Sequence, residues 1–206
     1  MITPARWAAL WQGFGLPAPM HAFYELAARY AETHRHYHTA RHISECFTHF
    51  DGARDLCEHP SEVELALWFH DAVYQPRAND NEAKSADWAV RVMLEAGIDM
   101  QAQERVRALV MATCHNALPD TQDAKVLVDV DLAILGANAA RFDEYEVQVR
   151  AEYGWVPEFL FRRTRKKILK DFLARPSIYS TEHCKNQFEK KARDNLARSL
   201  LKLNAG

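Results

Sequence analysis

Along this chain, apolar residues recur at three- and four-residue steps and almost never alternate, so the pattern predicts helices joined by short polar breaks. Trp7, Leu10 and Trp11 mark a first helix, which Gly13-Phe-Gly-Leu-Pro17 ends. Phe23, Leu26, Ala27 and Tyr30 form the stripe of a second. After the polar stretch Thr33-His-Arg-His-Tyr-His38, a third helix runs to about Cys57 on Ile43, Cys46, Phe47 and Phe50. Ser61-Glu-Val-Glu64 reads as a capping box for a fourth, which ends at His70-Asp71. Gln75 to Asn81 is a loop. A helix over about Asn81–Ala96 follows, and then one on Val106, Leu109 and Val110 that ends near Cys114-His115-Asn116. Further helices are expected at about Thr121–Leu135, 138–153, 156–174 and Thr181–Leu203, with breaks at Gly154, Pro157 and Arg175-Pro176. No hairpin dipeptide and no fixed-period repeat interrupts the series. The expected fold class is therefore all-α, one domain over residues 1–206.

Bulk composition agrees. A hydrophobic share of 48% beside 26% charged residues suits a globular core and excludes global disorder. No apolar run approaches the roughly 18 residues of a membrane span. Met1 to Trp11 lacks the basic-then-apolar layout of a signal peptide. Cys46, Cys57, Cys114 and Cys184 are scattered, with no C-x-x-C pair, which favours reduced thiols and a cytoplasmic setting. Charge is uneven: residues 1–150 carry 13 basic against 22 acidic side chains, whereas residues 151–206 carry 13 against 6. The basic run Arg162-Arg-Thr-Arg-Lys-Lys167 reads as a solvated helix face. Without interleaved aromatics it gives no ground to expect nucleic acid.

The chemistry concentrates where apolar pattern and polar residues collide. Leu67-Trp-Phe-His-Asp71 carries an imidazole and a carboxylate into the interior at a helix end. Adjacent side chains point about 100° apart on a helix, so one ordinary partner rarely serves both, whereas a metal ion at the helix end can. Asp131 lies in Lys125-Val-Leu-Val-Asp-Val-Asp-Leu-Ala-Ile-Leu135, where a carboxylate is costly unless paired or metal-bound. Its neighbour Asp129 reads as structural. Eight of the ten histidines fall within the first 70 residues, and His38 and His42 share a helix face if the third helix already includes His38.

The series His42, His70-Asp71, Asp131 resembles the HD-domain superfamily of metal-dependent phosphohydrolases, whose pattern is H…HD…D on an all-helical bundle. The likeness rests on Tyr37-His-Thr-Ala-Arg-His42, Trp68-Phe-His-Asp-Ala-Val-Tyr74 and Asp129-Val-Asp-Leu-Ala-Ile-Leu-Gly136. It covers a metal-binding core of about residues 30–140, with helices over about 141–203 expected to pack on it. The tail residues Arg175, Ile178-Tyr179, Ala192-Arg193 and Asn195-Leu196 are similar to those of a bacterial subgroup of predicted HD phosphohydrolases.

The resemblance implies His42, His70, Asp71 and Asp131 as metal ligands and a divalent ion (Mn, Fe, Co, Ni, Mg or Zn) as cofactor. Two imidazoles and two carboxylates make a mixed N/O site with room for water and substrate. Asp71 is the expected proton acceptor, and His115 could hold the leaving group or a second ion. Nucleotidases of the superfamily place a glutamate where this chain has Tyr74. The alarmone-hydrolase branch has a glutamate-aspartate pair where this chain has Val73-Tyr74-Gln75. Glu82 and Lys84 are candidates for the missing proton-transfer and phosphate-binding groups, with Arg35 and His38 as further substrate contacts. The expected partner is a small phosphorylated, nucleotide-like substrate, with a homo-oligomer possible and no membrane. Two alternatives are a non-catalytic metal- and nucleotide-binding regulatory module and a diiron oxygenase on the same fold. The latter needs two histidines between the HD pair and the last aspartate, where the chain offers only His115.

Overall fold

A computed structural model describes residues 1–115 and 117–205, with the side chain of Ala205 left aside. Ten α-helices occur among the described residues, with no strand. They are α1 (Pro4–Gly13), α2 (Met20–Arg29), α3 (Ala40–Ala53), α4 (Pro60–Phe69), α5 (Asn81–Glu95), α6 (Met100–Ala112), α7 (Gln122–Asp131), α8 (Ala139–Glu152), α9 (Glu158–Ala174) and α10 (Glu182–Ala205). Short 3-10 turns follow α3 (Arg54–Leu56) and α7 (Leu132–Gly136). The all-α class expected from the periodicity is what the structure has. Two compact units are present, Met1–Val130 and Asp131–Gly206, with the division falling in the last turn of α7.

The first unit is built around α4, which packs against α1, α3, α5 and α6. Every residue from Glu62 to Phe69 is buried, so from Glu62 onward this helix has no solvent-facing side. Its apolar residues meet an aromatic cluster in which Trp68 sits edge-on to Trp7 at 5.1 Å and against Phe47 at 4.8 Å. Two buried carboxylates on α4 are paired with arginines. Glu62 is gripped by Arg105 through two bonds of 2.8 and 2.7 Å, and Glu64 is held by Arg6 at 2.8 Å and by Arg54.

The start of α4 differs from the capping box expected at Ser61. The helix begins two residues earlier, with His59 at the N-cap, because Pro60 occupies the first turn, where a missing N–H costs nothing. Asp123 from α7 accepts the free N–H groups of Glu58 and His59 at 2.7 and 3.0 Å, which does the work of a cap from outside.

In the second unit α10 packs on the 3-10 turn that follows α7. Asn195 donates to the carbonyls of Leu135 and Ala137, both at 2.9 Å, and Tyr179 to that of Leu132 at 3.1 Å. Gly136 lets the two backbones touch: a Cβ there would stand 2.6 Å from Phe188 Cβ and 2.9 Å from the Phe188 carbonyl. The obstacle is main chain and cannot rotate away. Gly136→Ala is therefore expected to cost about 2–3 kcal/mol, read as a lowered urea midpoint. An unchanged midpoint would contradict the close approach.

Glu189 on α10 ties down the chain between α9 and α10, accepting from the amides of Ile178 (3.0 Å) and Tyr179 (3.3 Å), Ser177 Oγ (3.1 Å) and Arg193 Nε (2.8 Å). Burial pushes its carboxyl pKa up, but these donors outweigh it and hold the group below its ordinary value. Stability from Glu189 is thus complete above the unfolded pKa of about 4.3 and is lost as pH falls through the lower folded one. Glu189→Gln should be less stable than the parent by about 1–2 kcal/mol at neutral pH, with the gap closing in acid. A gap that is independent of pH would refute the assignment.

Candidate metal centre

Two helix ends in the first unit bring imidazoles to one point. Thr39, in extended conformation, caps α3 by accepting from the Arg41 amide at 3.3 Å, which puts His42 in the first helical turn. His38 consequently precedes the helix, and the shared helix face considered for His38 and His42 does not form. At the other end α4 closes on Phe69, and the His70 amide still bonds Ala66 O at 2.8 Å. His70 Nδ1 lies 3.0 Å from Leu67 O. A neutral ring that gives its Nδ1 proton to that carbonyl presents a bare lone pair on Nε2.

That lone pair faces two other atoms. His42 Nε2 is 3.2 Å from His70 Nε2, and Asp71 Oδ2 is 3.3 Å from the first and 3.1 Å from the second. Asp71 Oδ2 is buried, yet it meets neither ring in a direction that makes a hydrogen bond. The two ring nitrogens lie within hydrogen-bond distance of each other and Asp71 Oδ2 beside them has no hydrogen-bond partner, and three atoms at these spacings fit a shared cation. Donors 3.1–3.3 Å apart subtend about 100° at a point about 2.1 Å from each, close to the angles divalent ions accept from nitrogen and oxygen.

Asp131, the last residue of α7, falls in an overlapping group that shares the two histidines but does not include Asp71. His42, Cys46, His70 and Asp131 each offer a ligand atom within 4.8 Å of the others, a group able to hold a divalent ion. Cys46 is the member that the pattern of the sequence concealed, since it falls on the apolar stripe of α3 and reads as core. Its sulfur is 3.7 Å from His42 Nδ1 and 3.8 Å from Nε2, nearly equidistant from the two ring nitrogens. A point about 2 Å out along the Nε2 lone pair then stands on the order of 4 Å from that sulfur, well beyond a metal–thiolate bond. As placed, Cys46 packs against the imidazole and helps seal it.

Accessibility is unequal within the trio. The side chains of His42 and His70 keep 2% and 1% of their surface open, whereas Asp71 keeps 18%, so solvent reaches the centre on the carboxylate side. Burial pushes the Asp71 pKa up, and where the rings carry protons His70 foremost, then His38 and His42, hold it well below the usual carboxylate range; a neutral His70 withdraws the largest of those contributions. Behind it, burial and then the Asp71 charge raise the Tyr30 phenol well above its ordinary value. Tyr30 therefore stays protonated and donates to Trp68 O at 2.9 Å, which braces the end of α4.

Arg35 behaves differently from the anion clamp expected of it. Its side chain is fully enclosed and donates to Asp71 O (2.6 Å), Ala72 O (2.9 Å), His38 O (3.2 Å) and Glu32 Oε2 (3.0 Å). It binds the turn that carries His70 and Asp71 to the segment that precedes α3, so its part is to position the ligands. His38 stacks on Tyr74 at 4.2 Å and lies 6.0 Å from the His42 ring, beside the centre.

The remaining candidates lie outside this ligand group. Glu82, in the first turn of α5, bears on Cys114: burial and then the Glu82 carboxylate push that thiol's pKa up. His115 follows Cys114 and adopts a positive φ of 54°, a conformation few side chains tolerate. Lys84 pairs with Asp80 at 2.9 Å on the surface. Asp129 is fully enclosed two residues before Asp131.

Among the described residues no helix is long and apolar enough to cross a membrane, and none of the four cysteines forms a disulfide. No protein-family model matches the chain, and comparison with curated proteins and with solved structures gives no match either.

Proposed function

We propose that this chain is a metal-dependent phosphohydrolase of the HD type, acting on a small, nucleotide-like phosphate ester in the cytoplasm. The observation that carries the reading is the convergence of His42 Nε2, His70 Nε2 and Asp71 Oδ2 at 3.1–3.3 Å, with Oδ2 buried and lacking a hydrogen bond. His42, His70, Asp71 and Asp131 would hold the ion. When bound, a divalent ion supplies Lewis acidity, which neutralises charge on a phosphoryl oxygen and acidifies water.

The other parts belong to the chain. Leu67 O fixes the His70 tautomer, so that Nε2 rather than Nδ1 faces the centre. Asp71, the one open member of the trio, is the group that substrate and solvent meet, and its carboxylate is the candidate proton acceptor. His38, stacked on Tyr74 beside the centre, is available to the substrate's leaving side. Glu82, which bears on Cys114, and His115, which follows it in the chain, are candidates for proton transfer, with Lys84 a candidate phosphate contact.

The test is phosphate release from a panel of phosphomonoesters, diesters and nucleotides by protein loaded in turn with Mn²⁺, Co²⁺, Fe²⁺, Ni²⁺, Mg²⁺ or Zn²⁺. Turnover of at least one class that is lost in Asp71→Asn is the expected result. Stoichiometric metal with no turnover of any member would replace this reading by a non-catalytic metal-binding module.

A further inference from the structure

Helix α9 carries Phe159, Arg162, Arg163, Lys166, Lys167 and Lys170 on one shallow surface, flanked by Glu158 and Asp171 at its two ends. At 100° per residue the five cations and Phe159 fall within an arc of about 140°, and no acidic residue enters it. Among the described residues Arg163, Lys166, Lys167 and Lys170 have no ion-pair or hydrogen-bond partner, while Arg162 donates to Leu203 O. By contrast Arg165, on the buried side of the same helix, is matched by Glu146 and by Tyr145 at 3.0 Å. Like charges three and four residues apart repel one another, and five such pairs run along this face. The protein supplies counter-charges to the inner arginine and none to the outer row.

We propose that this face of α9 binds single-stranded nucleic acid. The cations extend over about 12 Å of helix, enough to track a few successive phosphates of one strand. Phe159, 70% exposed, stands at the head of the row and offers a ring on which a base can stack. In the linear sequence that aromatic precedes the basic run and does not interleave with it; the helix winds it onto the same surface. A membrane surface is the poorer occupant. An interfacial helix immerses an apolar stripe, and here the centre of the exposed face is cationic. The exposed Ile168 lies about 100° beyond the edge of the arc.

The experiment is fluorescence anisotropy of the full chain with a labelled single-stranded oligonucleotide of about 12 nucleotides, across a salt series. Binding should weaken with salt at a log–log slope of about −2 to −3, as for three or four neutralised phosphates. Combined replacement of Arg163, Lys166, Lys167 and Lys170 by glutamine should lower affinity at least about 30-fold and flatten that slope. Phe159→Ala should weaken binding about tenfold with the slope unchanged. Lys190→Gln with Lys191→Gln, which removes two exposed cations from α10, should have little effect and tests whether the loss of cations away from α9 weakens binding. Circular dichroism checks that each variant is folded. The proposal is overturned by absence of binding at low salt, by equal binding of the α9 and α10 variants, or by retention on phosphatidylserine vesicles without oligonucleotide binding.

Discussion

Replacing His70 by alanine is expected to abolish retention of a divalent ion and to lower any hydrolytic rate by about 10³-fold or more. The argument rests on the ring's two bonds. Leu67 O takes the Nδ1 proton, so Nε2 is a committed acceptor, and it stands 3.1–3.2 Å from two other donor atoms of the centre. No neighbouring side chain can replace it: Cys46 faces the side of the His42 ring, and Tyr30 is a protonated phenol engaged with Trp68 O. Elemental analysis after gel filtration should show about one ion per parent chain and under a tenth in the variant. The variant's fold can be followed separately by its near-ultraviolet spectrum, to which the tryptophans around α4 contribute. A folded variant that keeps its metal and its rate would remove His70 from the centre.

Arg35→Ala should be the most destabilising of the single substitutions near the site, by about 4 kcal/mol. The arginine is fully enclosed, and its loss would strand the carbonyls of His38, Asp71 and Ala72 and leave Glu32 only its surface pair with Arg29 and the nearby His34 ring. For a chain of this length that corresponds to a melting temperature lower by about 8–16 °C. Arg35→Lys should recover only a small part, because an ammonium cannot span acceptors arranged for a planar fork. The same loosening frees the turn bearing Asp71, so metal affinity should fall about tenfold even though no ligand is removed. Calorimetry with and without metal separates the two effects. An Arg35→Ala protein with parental melting temperature and affinity would show that the turn holds itself.

Much of the fold could be read in the sequence because each helix buries a stripe, and stripes are periodic. Trp7, Leu10 and Trp11, or Ile43, Cys46, Phe47 and Phe50, are buried as their spacing implies. The carboxylate of Asp131 and the pair His70-Asp71 were legible for the opposite reason, since polar groups in apolar runs need a partner. What could not be read depends on partners distant in sequence. Arg35 carries the same donors whether it faces a phosphate or three carbonyls, and only the tertiary structure shows which. Asp123 replaces the Ser61 cap from 65 residues further along the chain than Glu58. Cys46 gave no signal because a buried thiol four residues after a histidine is ordinary core chemistry.

The complete enclosure of α4 from Glu62 onward has a consequence for how the centre exchanges its contents. A helix without a solvent-facing side has no low-energy route to local fraying, so the amides of Leu65 to Phe69 should exchange their hydrogens only when the whole first unit unfolds. His70 is anchored to this slowest-exchanging segment through its amide and its ring. Ion exchange is therefore expected on the partly exposed side where Asp71 and Asp131 lie, over a rigid floor, at a rate set more by ligand chemistry than by breathing of the fold.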